Sequence, residues 1–197
     1  MTHYKTIMQA AQAEFKDRGS RFPAYAFPIV AVDDFKKRLK ELKDEHSKAA
    51  HHCFAYRLGT DGNNFRASDD GEPSGTAGKP ILGQLDSKGV TNAAVIVVRY
   101  FGGTLLGVPG LINAYKTAAS LALQLAPLME KPVLVQYALE FDYTLMNDVM
   151  LFVKRYGGTV IQNEVQLFCR LVVGIPKAEE QQFSDRIGDL RGVTVVR

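Results

Sequence analysis

The feature that most constrains the fold is the order of hydrophobic periodicities in the last third of the chain. Apolar and polar residues alternate over residues 133–143, which predicts a half-buried strand, and the spacing then changes to a helical one that ends at a Gly-Gly pair. Two further strand patterns (159–167 and 169–175), a second helical stripe and a short final strand follow. This β-α-β-β-α-β order predicts a ferredoxin-like plait for residues 133–197.

The beginning of the chain admits two interpretations. The spacing of Ile7, Ala11 and Phe15 is compatible with a helix. The alternative, which we favour, is a hairpin that turns at residues 17–20 and continues as a strand over residues 22–32.

A helix, a strand pair, a central strand and a second helix are predicted after the hairpin. Asp33 is expected to cap the first helix. The apolar stripe of this helix comprises Phe35, Leu39, Leu42 and His46. Strands are predicted over residues 51–58, 64–68 and 93–100, the last being a continuous apolar run typical of a central strand. The buried face of the second helix comprises Leu111, Tyr115, Ala118, Ala122 and Leu125. Together these elements predict an α/β sandwich.

Prolines mark the boundary between the two parts. Pro127 and Lys131-Pro132 bracket the expected linker, because a residue that precedes proline avoids the helical region. The chain has 197 residues, enough for one large or two small domains at ~100–200 residues each. We therefore expect an α+β chain of two domains, residues 1–128 and 133–197, each with its own core.

Composition excludes several classes of protein. Hydrophobic residues make up 46% and charged residues 23%, close to the globular average. The longest aliphatic run, residues 93–98, is far shorter than the ~20 residues of a membrane span, and the N-terminus has no apolar signal core. Cys53 and Cys169 lie far apart without metal-ligand spacing, so we expect reduced, buried thiols. These features predict a cytoplasmic protein with no membrane partner and no cofactor.

The net charge of +3 is concentrated in the first part of the chain. Residues 1–130 carry 16 basic and 13 acidic side chains, whereas residues 131–197 carry 8 of each. An anionic ligand is therefore expected to meet the first domain.

The segment at residues 68–80 (SDDGEPSGTAGKP) has a composition that packing alone does not require. Its carboxylates and hydroxyls belong to Asp69, Asp70, Glu72, Ser74 and Thr76. Paired carboxylates can bind a divalent cation, and hydroxyls with glycine amides can cradle an anion. Alternatively, the segment is a surface turn whose side chains cap the following helix. The spacing matches neither a P-loop nor a nucleophile elbow.

A second glycine-rich segment follows the predicted central strand, at residues 99–110 (RYFGGTLLGVPG). Gly102 and Gly103 would let backbone amides approach a phosphate, with Arg99 as the counter-charge. The same glycines can instead serve close packing. We expect the two glycine-containing loops to meet around one polar depression, because unpaired amides and clustered charges are costly to bury separately. Of the adjacent histidines at positions 51 and 52, only one can join a given site, since neighbouring strand side chains point to opposite faces.

Three segments carry a family resemblance. Residues 51–56 (HHCFAY), 68–80 and 97–107 (VVRYFGGTLLG) resemble the signature of the YigZ-type bacterial members of the IMPACT family, and the similarity extends over nearly the whole chain. The resemblance implies an N-terminal domain like the second domain of ribosomal protein S5 and a C-terminal plait like the last domain of elongation factor G. One departure is Pro109, which replaces a glycine usual in the family and removes an amide donor from an anion-binding loop.

The resemblance implies a link to translation, because eukaryotic IMPACT regulates translation initiation. The family has no established enzymatic reaction, so no catalytic role is transferred. We expect a regulatory binding protein that contacts RNA, the ribosome or a translation factor through its N-terminal domain; the oligomeric state is left open. The alternative is a metal-assisted phosphate-ester hydrolase or transferase that acts on a small molecule.

The residues expected to bind a ligand combine the two hypotheses, in which basic side chains contact RNA phosphates or the carboxylates of residues 69–72 act as acid, base or metal groups. They are Arg57, Arg66, Asp69, Asp70, Glu72, Ser74, Thr76, Lys79, Arg99, Tyr100, Gly102 and Gly103. The basic side chains among them would contact RNA phosphates. The aromatic residues available for base stacking are Tyr56, Phe65, Tyr100 and Phe101.

Overall fold

The computed structural model describes residues 1–196 and divides them into two compact units. One unit comprises residues 4–131, and the other comprises residues 132–196 together with residues 1–3. Each unit has its own sheet and its own buried core, which confirms the α+β, two-domain fold class. No helix within residues 1–196 is long and apolar enough to cross a membrane.

The N-terminal part of the chain contains seven strands and three helices among its described residues. The strands are β1 (His3–Ile7), β2 (Ala11–Asp17), β3 (Ser20–Pro28), β4 (His51–Leu58), β5 (Asn64–Ser68), β6 (Ala93–Arg99) and β7 (Leu128–Pro132). The helices are α1 (Val32–Glu45), α2 (Gly78–Lys88) and α3 (Gly107–Leu125). Five strands form an antiparallel sheet in the order β2-β3-β6-β4-β5, and β6 is buried along its whole length. This confirms the predicted central strand.

The hairpin interpretation of the N-terminal region is confirmed. Strands β2 and β3 pair from Ala11↔Ala26 to Asp17↔Ser20, and Arg18 and Gly19 form the two-residue turn with φ values of 45° and 82°. Positive φ at both central positions matches the twist of the flanking strands. Within the expected linker between Pro127 and Pro132, residues 128–132 form β7, which pairs with β1.

Helix α1 begins at Val32, two residues earlier than a cap at Asp33 requires. Asp34, not Asp33, holds the start of the helix: its carboxylate accepts hydrogen bonds of 2.9 Å from the backbone N–H groups of Val30 and Ala31. The predicted extension of β3 to residue 32 is also wrong, since Val32 already belongs to the helix.

The helices cover both faces of the five-stranded sheet. Helices α2 and α3 pack on one face, where the ring of Tyr115 contacts that of Phe22 edge-on at 5.2 Å between centroids. Helix α1 packs on the other face through Phe35 and Leu42. Leu125, expected on the buried side of α3, is 63% exposed, because α3 ends there. The sheet is thus the middle of three layers.

The C-terminal unit has the predicted β-α-β-β-α-β order. Its elements are β8 (Leu134–Asp142), α4 (Met146–Arg155), β9 (Thr159–Glu164), β10 (Phe168–Pro176), α5 (Glu180–Ile187) and β11 (Val193–Val196). The strand order is β11-β8-β10-β9 with every pair antiparallel, which is the topology of a ferredoxin-like plait. Cys169 in this core and Cys53 in the N-terminal core are both free and buried, as expected.

Candidate functional site

The carboxylate of Asp69 caps helix α2. It accepts hydrogen bonds from the backbone N–H groups of Gly75 (2.9 Å), Ala77 (3.0 Å) and Gly78 (2.8 Å). Partial burial by itself raises the pKa of Asp69, but the three amide hydrogen bonds together outweigh this effect and hold the pKa below its usual value of 3.8. Asp69 therefore has the helix-capping role that was the alternative to ligand binding.

Asp70 ties the same loop to the first residues of β4. Its carboxylate accepts a 2.7 Å hydrogen bond from the backbone N–H of His52, and its carbonyl oxygen lies 2.8 Å from Nδ1 of His51. Because a carbonyl oxygen only accepts, the His51 Nδ1 carries the hydrogen and Nε2 keeps a lone pair when the ring is neutral. Both histidines thus contact the loop, one through its ring and the other through its backbone.

Glu72 joins the two loops. Its Oε1 accepts hydrogen bonds from Nη1 of Arg99 and from the hydroxyl of Tyr115, both at 2.7 Å. The side chains of Glu72 and Arg99 are only 3% and 7% exposed, so this is a buried ion pair. Nε2 of His51 lies 3.8 Å from Oε2 of Glu72. The loop at residues 69–79 therefore lies next to Arg99, as predicted. The contact between them is a buried salt bridge within the protein.

Residues 69–72, His51 and Arg99 form a polar cluster. Two buried groups that the sequence assigned only to the core also belong to this cluster. The thiol of Cys53 donates to the carbonyl oxygen of Asp69 at 3.0 Å, and Tyr115 donates to Glu72. Burial raises the pKa of both the Cys53 thiol and the Tyr115 hydroxyl, so both stay protonated at neutral pH. The signal for Tyr115 was its place on the buried face of a helix, where a tyrosine hydroxyl needs a partner.

The remaining polar residues of the loop divide into buried and exposed groups. Thr76 is buried, and its hydroxyl donates to the carbonyl oxygen of Pro73 at 2.6 Å, so it stabilises the turn. Ser74 and Lys79 are exposed, and no salt bridge within the described residues involves Lys79.

These contacts use the carboxylates that the metal-assisted hypothesis requires. Asp69 accepts from amides, Asp70 accepts from the His52 backbone, and Glu72 accepts from Arg99 and a tyrosine. Within residues 1–196 no group of three or more His, Cys, Asp or Glu side chains is arranged to hold a metal ion. In this arrangement the three carboxylates stabilise the two loops.

Arg57 lies away from this cluster. It is near the opposite end of β4, where it forms a salt bridge with Asp86 and donates a 2.6 Å hydrogen bond to the carbonyl oxygen of Gly62. Its guanidinium also lies 4.8 Å from the centroid of the Phe65 ring. The structure therefore does not bring Arg57 together with Glu72 and Arg99.

Tyr100 and Arg66 lie on the other face of the sheet from Arg99. The Tyr100 hydroxyl is 2.6 Å from Nδ1 of His46, whose Nε2 is 2.6 Å from the hydroxyl of Tyr25. Arg66 is exposed, and its guanidinium lies over the ring of Phe54, which packs against α1. Successive strand residues alternate between faces, so Tyr100 cannot share the surroundings of Arg99.

The two adjacent glycines after β6 have different roles. Gly102 packs against the backbone of Gly19 so closely that an added Cβ would overlap it, and its N–H donates to Oγ of Ser20 at 3.1 Å. Gly103 is exposed, with φ of 88° and open space around it. Close packing therefore accounts for Gly102, whereas the turn conformation accounts for Gly103.

Comparison with known proteins identifies the family. Residues 18–123 match the model of the Impact N-terminal domain. IMPACT family member YigZ of Escherichia coli (strain K12) is 36% identical over 172 residues, which cover 86% of this chain and 84% of that protein. An IMPACT family member of Haemophilus influenzae is 33% identical over 95% of this chain and 92% of that protein.

A mammalian relative and a solved structure agree with this assignment. Protein IMPACT of Rattus norvegicus is 37% identical over 100 residues, which cover 48% of this chain and 31% of the rat protein. A crystal structure of a hypothetical protein, 32% identical, superimposes with a TM-score of 0.81 over 100% of this chain and 97% of that one. With a domain match over more than half its length and bacterial relatives that align over most of it, the chain belongs to the IMPACT family as a YigZ-type member.

Proposed function

We propose that this protein is a translation-linked regulatory binding protein whose N-terminal unit contacts RNA, either free or within the ribosome. Membership of the IMPACT family supports the link to regulation of translation. The excess of basic side chains in residues 1–130 supports an anionic partner for that unit. A translation factor is the competing partner, and the experiment below separates it from RNA.

The observation that supports RNA best is the exposed ring of Phe101. The ring is 53% exposed and lies 5.6 Å from the guanidinium carbon of Arg99, which is itself fixed by Glu72. A rigidly held aromatic face at the surface is what unpaired bases stack upon. Among the other candidates for stacking, Tyr56 is buried and Tyr100 is engaged with a histidine. Phe65 is also exposed and lies beside Arg57, so it is a second surface on which a base could stack.

The cations that would contact phosphates are fewer than the sequence suggested. Arg57 and Arg99 are paired within the protein, so their charges are compensated before any ligand binds. Lys79 is exposed at the start of α2. Arg18 is half exposed, with its guanidinium 3.4 Å from the carbonyl oxygen of Leu106 and 3.5 Å from the carboxylate of Asp17; an ion pair this exposed contributes little and leaves Arg18 able to contact a phosphate. We propose that Lys79 and Arg18 contact phosphates while Phe101 stacks on a base.

Filter binding with a mixed-sequence single-stranded RNA tests this proposal. Lys79→Ala should weaken binding across all sequences and lower the slope of log K against log salt by about 1, because one phosphate contact is lost. Phe101→Ala should weaken binding by about 1–3 kcal/mol with little change in the salt slope, because stacking is not ionic.

Lys40→Ala is the matched control, since Lys40 is an exposed lysine on α1, on the other face of the sheet. It should bind like the unmodified protein. The same titration with purified ribosomal subunits tests binding within the ribosome. Absence of RNA and ribosome association at 50 mM salt would exclude the RNA proposal and favour a translation factor as partner.

A further inference from the structure

Strand β2 forms an open edge of the five-stranded sheet. It pairs with β3 alone, and the register places Gln12 opposite Tyr25, Glu14 opposite Pro23 and Lys16 opposite Arg21. This edge lies outside the loops that hold the Glu72 ion pair. An unpaired edge strand presents a row of backbone donors and acceptors to any extended chain that approaches it.

The backbone of Arg21 shows which residues of β2 direct their polar groups outward. Its N–H donates to the carbonyl oxygen of Tyr100 and its own carbonyl accepts from the Tyr100 N–H, at 3.0 and 2.9 Å. Both polar groups of Arg21 are therefore used on the side away from β2, which makes Lys16↔Arg21 a non-hydrogen-bonded pair. Since such pairs alternate with hydrogen-bonded ones, the backbone groups of Gln12 and Glu14 face the open edge as well.

Two cavities lie side by side along this edge. One, of about 150 Å³, is lined by Ala11 and Gln12 of β2 and by Ala10, which precedes the strand; the other, of about 330 Å³, is lined on β2 by Gln12, Ala13 and Glu14. Gln12 borders both, as does Tyr25 of β3. Residues 10–12 line the first cavity and residues 12–14 line the second. The two sets are therefore shifted by two residues, which corresponds to about 6.7 Å along a strand.

The two cavities differ in chemistry. The smaller one is walled mainly by Ala10, Ala26 and Phe27, and its charged group, Arg38, is already paired with Glu41. The larger one contains an acceptor, the Glu14 carboxylate, and a donor, the Arg21 guanidinium, which bind each other at 2.8 Å; His46 also lines it.

We propose that an extended peptide segment of a partner protein adds to β2 as a sixth strand. Two alternate side chains of that segment, at positions i and i+2, enter the two cavities, because their spacing in a strand equals the two-residue shift between the two sets of lining residues. The first is apolar. The second is a small side chain that both donates and accepts, such as Ser, Thr, Asn or Gln, because Arg21 binds only Oε1 of Glu14, which leaves Oε2 as an acceptor and further guanidinium N–H groups as donors. Main-chain hydrogen bonds supply affinity, and the cavities supply specificity.

Selection from a displayed library of random octapeptides tests the proposal, with a synthetic copy of the enriched peptide as the probe. We expect a consensus with an apolar residue two positions from Ser, Thr, Asn or Gln. On addition of the probe, amide hydrogen exchange should slow at Gln12, Glu14 and Lys16. The amides of Ala13 and Phe15, already bonded to β3, should change little.

Glu14→Pro separates strand addition from other modes of binding. Proline removes the outward N–H of this position without breaking a bond to β3, so the hairpin remains while the probe should bind at least about tenfold more weakly. Glu14→Ala keeps the N–H and is the matched control; it should retain the exchange pattern and relax the preference at the second position. Circular dichroism checks that both variants fold.

Four outcomes would overturn the proposal. They are the absence of any consensus, exchange protection at another strand such as β9, unchanged binding by Glu14→Pro, and self-association of the chain through β2 in sedimentation without an effect of the peptide. None of them bears on RNA binding at Phe101 and Lys79, so the two proposals fail separately.

Discussion

Replacement of Glu72 by glutamine tests whether the buried ion pair holds the two loops together. Glutamine keeps an oxygen for the Tyr115 hydroxyl but removes the charge that compensates Arg99, whose side chain is 7% exposed. A buried charge left without its partner destabilises a protein by about 3–5 kcal/mol. Because total stabilities are about 5–15 kcal/mol, Glu72→Gln should remove a large part of the stability of the N-terminal unit.

Urea denaturation at pH 7, followed by circular dichroism, measures this effect. The urea concentration at the midpoint of unfolding should fall. The slope of the free energy of unfolding against urea concentration should stay the same, because the surface exposed on unfolding is unchanged. Native-state hydrogen exchange of β6 amides assigns the loss to the N-terminal unit, since β6 is its central strand.

A double variant provides the control for the ion pair. Glu72→Gln combined with Arg99→Met removes both charges, and replacement of a whole buried pair is often neutral. The double variant should therefore be more stable than Glu72→Gln alone. A loss below about 1 kcal/mol for Glu72→Gln, or additive losses in the double variant, would show that the pair does not have the role assigned to it.

Three further predictions follow from the same contacts. Asp69→Asn should destabilise the protein by about 1–3 kcal/mol at pH 7; because hydrogen bonding lowers the folded pKa of Asp69 below 3.8, the difference from the unmodified protein should shrink as the pH falls through that region, which urea titrations at pH 3 and pH 7 can measure. Cys53, whose pKa is raised by burial, should resist Ellman's reagent at pH 8 in the folded protein and react once urea unfolds it, and rapid reaction of the native protein would contradict its assigned environment. Gly103→Ala should cost about 1–2 kcal/mol because its φ is 88°, whereas Gly102→Ala should cost more because its Cβ would overlap Gly19; equal midpoints in urea would contradict this difference.

The elements of this protein were predictable where a local pattern repeats over several residues. The alternation in β8 and the helical stripe of α4 follow from side-chain periods of 2.0 and 3.6, which need no knowledge of distant residues. The turn at Arg18 and Gly19 was predictable because it, too, depends only on neighbouring residues, those at positions 17–20. The strand β7 was not, because its five residues contain a proline and its pairing with β1 joins segments more than 100 residues apart.

The geometry of the candidate site depends on contacts between residues that are far apart in the sequence. The sequence singled out both glycine-rich segments, because charges and glycines at that density are unusual in a turn. It could not show that Glu72 binds Arg99, 27 residues away, and Tyr115, 43 residues away. Nor could it distinguish a carboxylate that holds a cation from one that caps a helix, as Asp69 does, since both need the same residue type.

What the sequence by itself determined is therefore the secondary structure of its periodic segments, the fold class and the family, all of which rest on local periodicity and motif spacing. The tertiary structure decided which polar groups remain available to a ligand. It paired Arg57 and Arg99 internally, turned Tyr100 to the opposite face and left Lys79 and Phe101 at the surface. The physical reason is that a charge is free or compensated according to its neighbours in space, and those neighbours come from segments that the chain brings together only by folding.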